Sequence, residues 1–289
     1  MNKYWNWFHL NWRVLHLALR GRWLNQADIA SGYDSAAPSY DEAWLVHLSS
    51  VTDRLLQRLP PIPSGPILDL GCGTGYTTAF LAQHYPHHPL TAVDLSPAMI
   101  AKARERLAHA EPLFFTRDML KFLQREPPAA TAMVLSAWAI GYSYPNHILR
   151  QAGRVLKEGG CFAFVVNRLD TLGPIFKTFQ EGMLRFPRQV NRALWPHFPK
   201  SWGEMQGQAR QAGLIEEFVE EDKIPLTLPS GTPPLDWVLG TGILAGFDAV
   251  LPLRSPGPVA DFFNERLETM QDELAHHYIM AILRKRGAS

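Results

Sequence analysis

Apolar positions along the chain follow two different rhythms. Trp5, Phe8, Trp12, Leu15, Leu19 and Trp23 recur at steps of three and four, which gathers them on one helical face. Trp7, Leu10, Val14 and Leu17 widen that face, so two fates are open to it. It can pack over a core or against a second copy of the chain. Alternatively it can lie at a water–lipid boundary, which suits tryptophan beside basic residues. A further helix is expected over Ala43 to Leu59, stopped by Pro60, Pro61 and Pro63. From there the rhythm changes to short apolar runs separated by helical stretches. Ile67 to Leu70 reads as a buried strand, Tyr76 to Tyr85 as a helix and Leu90 to Asp94 as a second strand. Ser96 then caps a helix with Pro97 at its first position. Phe114 to Met119 gives a third strand and its exit, Ala132 to Ser136 a fourth and Cys161 to Val166 a fifth. A sixth falls within Leu214 to Leu226, a helix lies near Pro258 to Glu273, and His277 to Arg284 is the last strand. Strands alternating with helices specify an α/β fold whose mostly parallel sheet is covered on both faces.

The chain is organised around Pro66-Ile67-Leu68-Asp69-Leu70-Gly71-Cys72-Gly73-Thr74-Gly75. A buried strand carrying an acid opens into three alternate glycines, a turn tight enough for a ligand to touch backbone. The free N–H groups of the following helix point at that ligand. The spacing is not that of the dinucleotide fingerprint Gly-x-Gly-x-x-Gly, because the third glycine comes one residue early. Asp94 ends the second strand nineteen residues after Gly75. In a doubly wound sheet that position sets a carboxylate against two ribose hydroxyls, and a carboxylate can accept both hydrogen bonds.

Asp69-Leu70-Gly71-Cys72-Gly73-Thr74-Gly75 closely resembles motif I of the class I S-adenosylmethionine-dependent methyltransferases, and Asp94-Leu95-Ser96-Pro97-Ala98-Met99 resembles their second motif. The resemblance implies that Gly71, Cys72, Gly73, Thr74 and Gly75 hold the methionine part of the cofactor. Asp69 would reach its amino group directly or through water. Leu95 and Met99 would join Asp94 in the contact set, with Met99 beside the adenine. Asp118 would meet the adenine amino group and Met119 flank the ring. Ser136 and Trp138 would stand where methyl donor and acceptor meet.

Upstream, Tyr33-Asp34-Ser35-Ala36-Ala37-Pro38-Ser39-Tyr40-Asp41 resembles the Tyr-Asp-x-x-Ala-x-x-Tyr-Asp element of small-molecule members, including the ubiquinone/menaquinone C-methyltransferase group. It implies that Tyr33 and Tyr40 lie near the sulfonium, which an aromatic ring attracts by cation–π interaction. Arg154 to Gly160 resembles the family's helix-to-strand turn before the fifth strand. The resemblance also implies a Rossmann-like sheet of seven strands, the last antiparallel and inserted between the fifth and sixth. The product would be S-adenosylhomocysteine.

Composition narrows the acceptor and the compartment. Apolar residues make up 46% and charged residues 19%, as in a soluble globular protein. The net charge of +1 supplies no basic field, so no nucleic-acid partner is expected. The chain lacks the Asn/Asp-Pro-Pro-aromatic run common in methyltransferases acting on exocyclic base amines. It also lacks the cysteine near the fourth strand that pyrimidine-carbon enzymes use. The two cysteines, Cys72 and Cys161, have no metal-ligand spacing and fit a reducing cytoplasm. No apolar run approaches the ~20 residues of a membrane span, and no signal peptide is expected.

His84, His87 and His88 read as a solvated loop and His276 and His277 as packing, so no metal is expected. His147, with Tyr142 and Tyr144 after the fourth strand, is the general-base candidate. Residues 171–252 are rich in proline and aromatics: Phe176, Phe179, Phe186, Trp195, Phe198, Trp202, Trp237 and Phe247. They form either a lid favouring a flat or greasy acceptor or a packed cap without ligand contact.

The expectation is therefore a cofactor-covering arm at 1–44 and a methyltransferase domain at 45–289, with a helical lid inserted at about 171–252. The expected activity is methyl transfer to a small lipophilic acceptor such as a quinone, pigment, polyketide or lipid precursor. A polar metabolite is the alternative, and a non-catalytic cofactor-binding module the alternative from another class. Location would be the cytoplasm or the inner face of a membrane, touched through residues 1–26, with a homodimer as the other use of the arm.

Overall fold

A computed structural model describes residues 3–110, 112–194, 197–228, 231, 233–242, 244–270 and 274–287. The chain divides into two compact units. One comprises Leu45–Thr171, His197–Lys223 and His277–Ser289 and is built on the sheet. Its strands are β1 (Ile67–Leu70), β2 (Leu90–Asp94), β3 (Leu113–Thr116), β4 (Thr131–Ala137), β5 (Leu156–Asn167), β6 (Leu214–Leu226) and β7 (Leu274–Lys285). Its helices are α3 (Val46–Leu56), α4 (Tyr76–His84), α5 (Pro97–Arg106), α6 (Met119–Leu123), α7 (Pro145–Val155) and α9 (Trp202–Gln211). The other unit comprises Met1–Trp44, Leu172–Pro196 and Ile224–His276. It carries α1 (Lys3–Leu19), α2 (Gln26–Ala36), α8 (Gly173–Arg185), α10 (Pro234–Gly240), α11 (Phe247–Val250) and α12 (Pro258–Glu268).

The sheet runs β3-β2-β1-β4-β5-β7-β6. β1 pairs in parallel with both β2 and β4, and β7 pairs antiparallel with β5, as the family pattern implies. Strand order reverses between β1 and β4, and in open α/β sheets ligands bind beyond the carboxyl ends of the strands at such a switch point. Every residue of β1 is buried and β4 is buried up to its last residue, because helices cover both faces. Leu68, Leu70, Val134, Phe162 and Phe164 pack toward Ile148, Leu149 and Met205 on one side. Ile67, Met133 and Leu135 pack toward Leu56 and Leu81 on the other. β5 begins at Leu156 rather than Cys161. The expected turn at Arg154 to Gly160 is taken up by a register shift against β4 and by Gly159 at φ +70°. The expected helix from Ala43 starts as a π-helical turn over Asp41–Leu45 before α3. Both sheet edges are exposed: β3 is only four residues long, and β6 carries Glu216, Glu217, Glu221 and Asp222 toward solvent.

In the helical unit, Asn25 and Asp28 form a reciprocal capping box at the start of α2. Its core is aromatic: the Phe179 ring stands 4.8 Å from Phe247 and 6.1 Å from Phe263. Gly182 admits Phe263, whose ring would lie 2.7 Å from any Cβ there. Much of the expected lid is thus a packed core, while Phe198 and Trp202 belong to the sheet unit. Trp195 lies outside the described residues. On α1, Trp5, Phe8, Trp12, Leu15 and Leu19 are exposed, whereas Trp23 lies beyond the helix and forms a parallel bridge with Ala193. The smaller Leu10, Val14 and Leu17 face inward, with Arg13 Nε donating to the Val190 carbonyl at 2.9 Å.

Candidate active site

The turn after β1 is zipped to β2, since Gly71 N and Cys72 N both donate to the Val93 carbonyl at 2.7 and 3.1 Å. Its three glycines all have positive φ, for different reasons. A Cβ on Gly71 would sit 2.1 Å from Ala139 Cβ, and one on Gly75 would sit 3.0 Å from Ala103. Gly73, at φ +53°, has nothing within 4 Å of that position. Packing therefore demands two of the glycines, while the middle one opens onto free space.

Two carboxylates frame that opening. Gly73 N donates to Asp94 Oδ2 and Ser96 N to Asp94 Oδ1, each at 2.9 Å, which fixes the carboxylate at the end of β2. Asp69 is fully buried, and its Oδ2 accepts from the Thr77 and Thr78 hydroxyls at 2.7 and 2.6 Å. Its Oδ1 has no hydrogen-bond partner. Burial raises the Asp69 carboxyl to about 6; the two threonines oppose the rise and the nearby Asp94 adds to it. A buried acceptor oxygen without a donor is costly, and an ammonium group would satisfy it. This set fits S-adenosylmethionine, whose amino group would meet Asp69 while Asp94 takes the ribose and the space at Gly73 admits the chain between them.

The other expected site residues divide into surface and support. Cys72, Thr74, Met99 and Ser136 are buried. The thiol of Cys72 is held protonated by burial and by Asp94 and Asp69. Ser136 Oγ donates to the Leu70 carbonyl at 2.6 Å. Met99 lies in the first turn of α5, where its backbone N–H donates to Ser96 Oγ at 3.1 Å. Leu95 is half-buried. Asp118 caps α6 by accepting from Lys121 N at 2.8 Å, and Met119 Cε lies 3.4 Å from the Cβ position of Gly71. Trp138 takes the left-handed conformation at φ +66°, an unusual state for a bulky residue and one that gathers at functional sites. Its backbone N–H reaches the Val165 carbonyl and its indole N–H reaches Thr52 Oγ1 at 2.9 Å.

Tyr33 and Tyr40 belong to the helical unit, their rings 6.3 Å apart. His147 is exposed on the first turn of α7 and stacks on Tyr144, which also meets His197. Burial, and secondarily His147, holds the His197 imidazole below its usual range. Among the described residues no cluster could hold a metal; His84 instead stacks on Phe80 and His88 bonds the Gly65 carbonyl. Sequence reasoning missed Thr77 and Thr78, although two hydroxyls in the first helical turn after the glycines are a readable signal. It also missed Arg54, Glu220 and Tyr278, three hydrogen-bonded groups from distant segments that no local pattern links.

Comparison with known proteins agrees with this geometry. Residues 67–160 match the methyltransferase-domain family. A malonyl-[acyl-carrier protein] O-methyltransferase of Herminiimonas arsenicoxydans is 34% identical over 55% of this chain and 58% of its own length. A trans-aconitate 2-methyltransferase of Sinorhizobium fredii is 33% identical over 68% of this chain and 75% of its own. The chain spans little more than half of the Herminiimonas enzyme. The solved structure of YcgJ protein from Bacillus subtilis superposes with a TM-score of 0.55 at 15% identity, covering 83% of this chain and 100% of that one, and shares the fold. With its strand order, its glycine turn and these relatives, the chain belongs to the class I S-adenosylmethionine-dependent methyltransferases.

Proposed function

We propose that this chain catalyses methyl transfer to a small acceptor. The observation that supports it best is the unsatisfied Asp69 Oδ1 in the strand that leads into a turn whose Gly73 is open, a combination suited to an amino-acid tail. Bound there, S-adenosylmethionine supplies a methyl group on a positively charged sulfur, which an acceptor atom displaces in line to leave S-adenosylhomocysteine. The protein's own work is alignment and exclusion of water. Asp69 holds the amino group and Asp94 the ribose, and Ser136, bonded to the Leu70 carbonyl, steadies the strand end before the turn. Trp138 shapes the acceptor side. For an acceptor that must lose a proton, exposed His147 is the base.

We take the acceptor to be lipophilic, a reading supported by the exposed aromatic face of α1 and not by the phenylalanines packed in the helical core. A carboxylate acceptor is the second reading, favoured by relatives named for malonyl-[acyl-carrier protein] and trans-aconitate. The test uses methyl-labelled cofactor, a cell extract split into lipid and aqueous fractions, and trans-aconitate as a separate acceptor, with Asp94→Ala as the blank. Alkali-stable label in the organic phase supports the lipophilic reading. Label that mild alkali releases as methanol marks a methyl ester and supports the carboxylate. No transfer to any fraction turns the reading toward a binding module.

A further inference from the structure

We propose that α1 docks on the surface of an anionic phospholipid bilayer. Trp5, Phe8, Trp12, Leu15 and Leu19 are each between 51% and 80% exposed. At 3.6 residues per turn they lie within an arc of about 80°. A continuous exposed patch of large apolar side chains marks an interaction surface rather than ordinary scatter. Leu10, Val14 and Leu17 anchor the opposite side of the helix, and Arg13, between the two faces, bonds the Val190 carbonyl, so the stripe is presented by a packed element.

Charge identifies the occupant. Beside the stripe lies a notch of about 280 Å³ lined by His9, Trp12, Arg13, His16, Pro187 and Arg188, with no acidic residue among them. Arg20 and Arg22 follow at the end of the helix, both exposed. The chain has no acid before Asp28, and Asp28 is bonded to Arg192. An apolar stripe beside a notch that holds arginines and no acid matches the boundary where acyl chains meet headgroup phosphates. A second copy fits less well. Self-association through this face would bring Arg13, Arg188 and their counterparts together with no carboxylate between them.

Docking is read without cofactor or turnover, so its failure and that of the methyl-transfer proposal are distinguishable. The experiment is co-sedimentation of the full chain with vesicles of phosphatidylcholine alone or mixed with phosphatidylglycerol. Binding is expected to the mixed vesicles, weakening as salt rises. Arg13→Gln with Arg188→Gln should reduce it by at least about tenfold. Trp5→Ser with Trp12→Ser should abolish it with an unchanged circular dichroism spectrum. Quenching of tryptophan fluorescence by brominated acyl chains reads the same contact in the unaltered protein, should a variant fail to fold. Absence of both co-sedimentation and quenching overturns the proposal, as does equal binding to both vesicle types. So does inorganic phosphate protecting the notch while vesicles are ignored. A dimer seen by light scattering that the tryptophan variant dissolves, without vesicle binding, assigns the face to a second copy instead.

Discussion

The glycine turn after β1 and the outward face of α1 are both incomplete, in opposite senses. At the turn a polar atom, Asp69 Oδ1, is buried where it finds no donor. On α1, large apolar groups stand in water where they find no cover. A fold tolerates the first only if the surrounding contacts are strong enough to hold a charged group out of solvent. It tolerates the second because an exposed side chain leaves the core unaffected. Substitutions at the turn should therefore reach into stability as well as binding, whereas substitutions on the stripe should change binding alone.

The largest effect is expected at Gly71. A methyl group there meets Ala139 and strains a left-handed backbone, so Gly71→Ala should lose on the order of 3–4 kcal/mol in urea unfolding. Gly73→Ala should lose only about 1–2 kcal/mol of stability, from backbone strain, yet block cofactor binding. Equal stability losses in the two variants would erase the distinction between a packed and an open glycine.

Asp69 offers a pH test. The folded state keeps its proton up to about pH 6, whereas the unfolded chain releases it near 3.8, so the folded state binds more protons in between. Stability should fall as pH rises through that window, by on the order of 3 kcal/mol, and level off above it. Asp69→Asn should remove that slope. A cation at Oδ1 favours the ionised form, so cofactor affinity should increase as pH rises through 6, measured by calorimetry.

Asp94→Ala should weaken cofactor binding by about 2–3 kcal/mol, the value of hydrogen bonds to a charged acceptor. Unchanged affinity would remove Asp94 from the ribose. The smallest effect is expected at the other pole of the comparison. Trp5→Ala should leave unfolding free energy within about 0.5 kcal/mol of the parent. A larger loss would mean that the stripe is packed after all.

The two regions also differ in how far the sequence discloses them. β1 and β2 were legible to the residue, because each is a short apolar run closed by glycine or by a capped helix. Asp94 was legible for the same reason: its place at a strand end follows from the spacing alone. The left-handed Trp138 was not, since nothing in a tryptophan announces positive φ; tertiary bonds to Val165 and Thr52 impose it. Likewise the period of α1 defines a stripe but not which side packs. Apolar residues surround that helix almost completely, and the choice fell to the smaller ones, which fit where an indole would overfill.

The charged edge of the sheet carries a consequence of its own. An unpaired edge strand is a template onto which another chain can add, and repeated addition makes a fibre. β6 presents carboxylates along its length and Pro225, which has no N–H to offer, near its end. Copies meeting edge to edge would bring Glu216 and Asp222 toward their counterparts, while Glu217 and Glu221 are each paired with an arginine, Arg284 and Arg168. That repulsion works against edge-to-edge addition, so Glu216→Gln with Asp222→Asn is the change under which this chain should begin to stack.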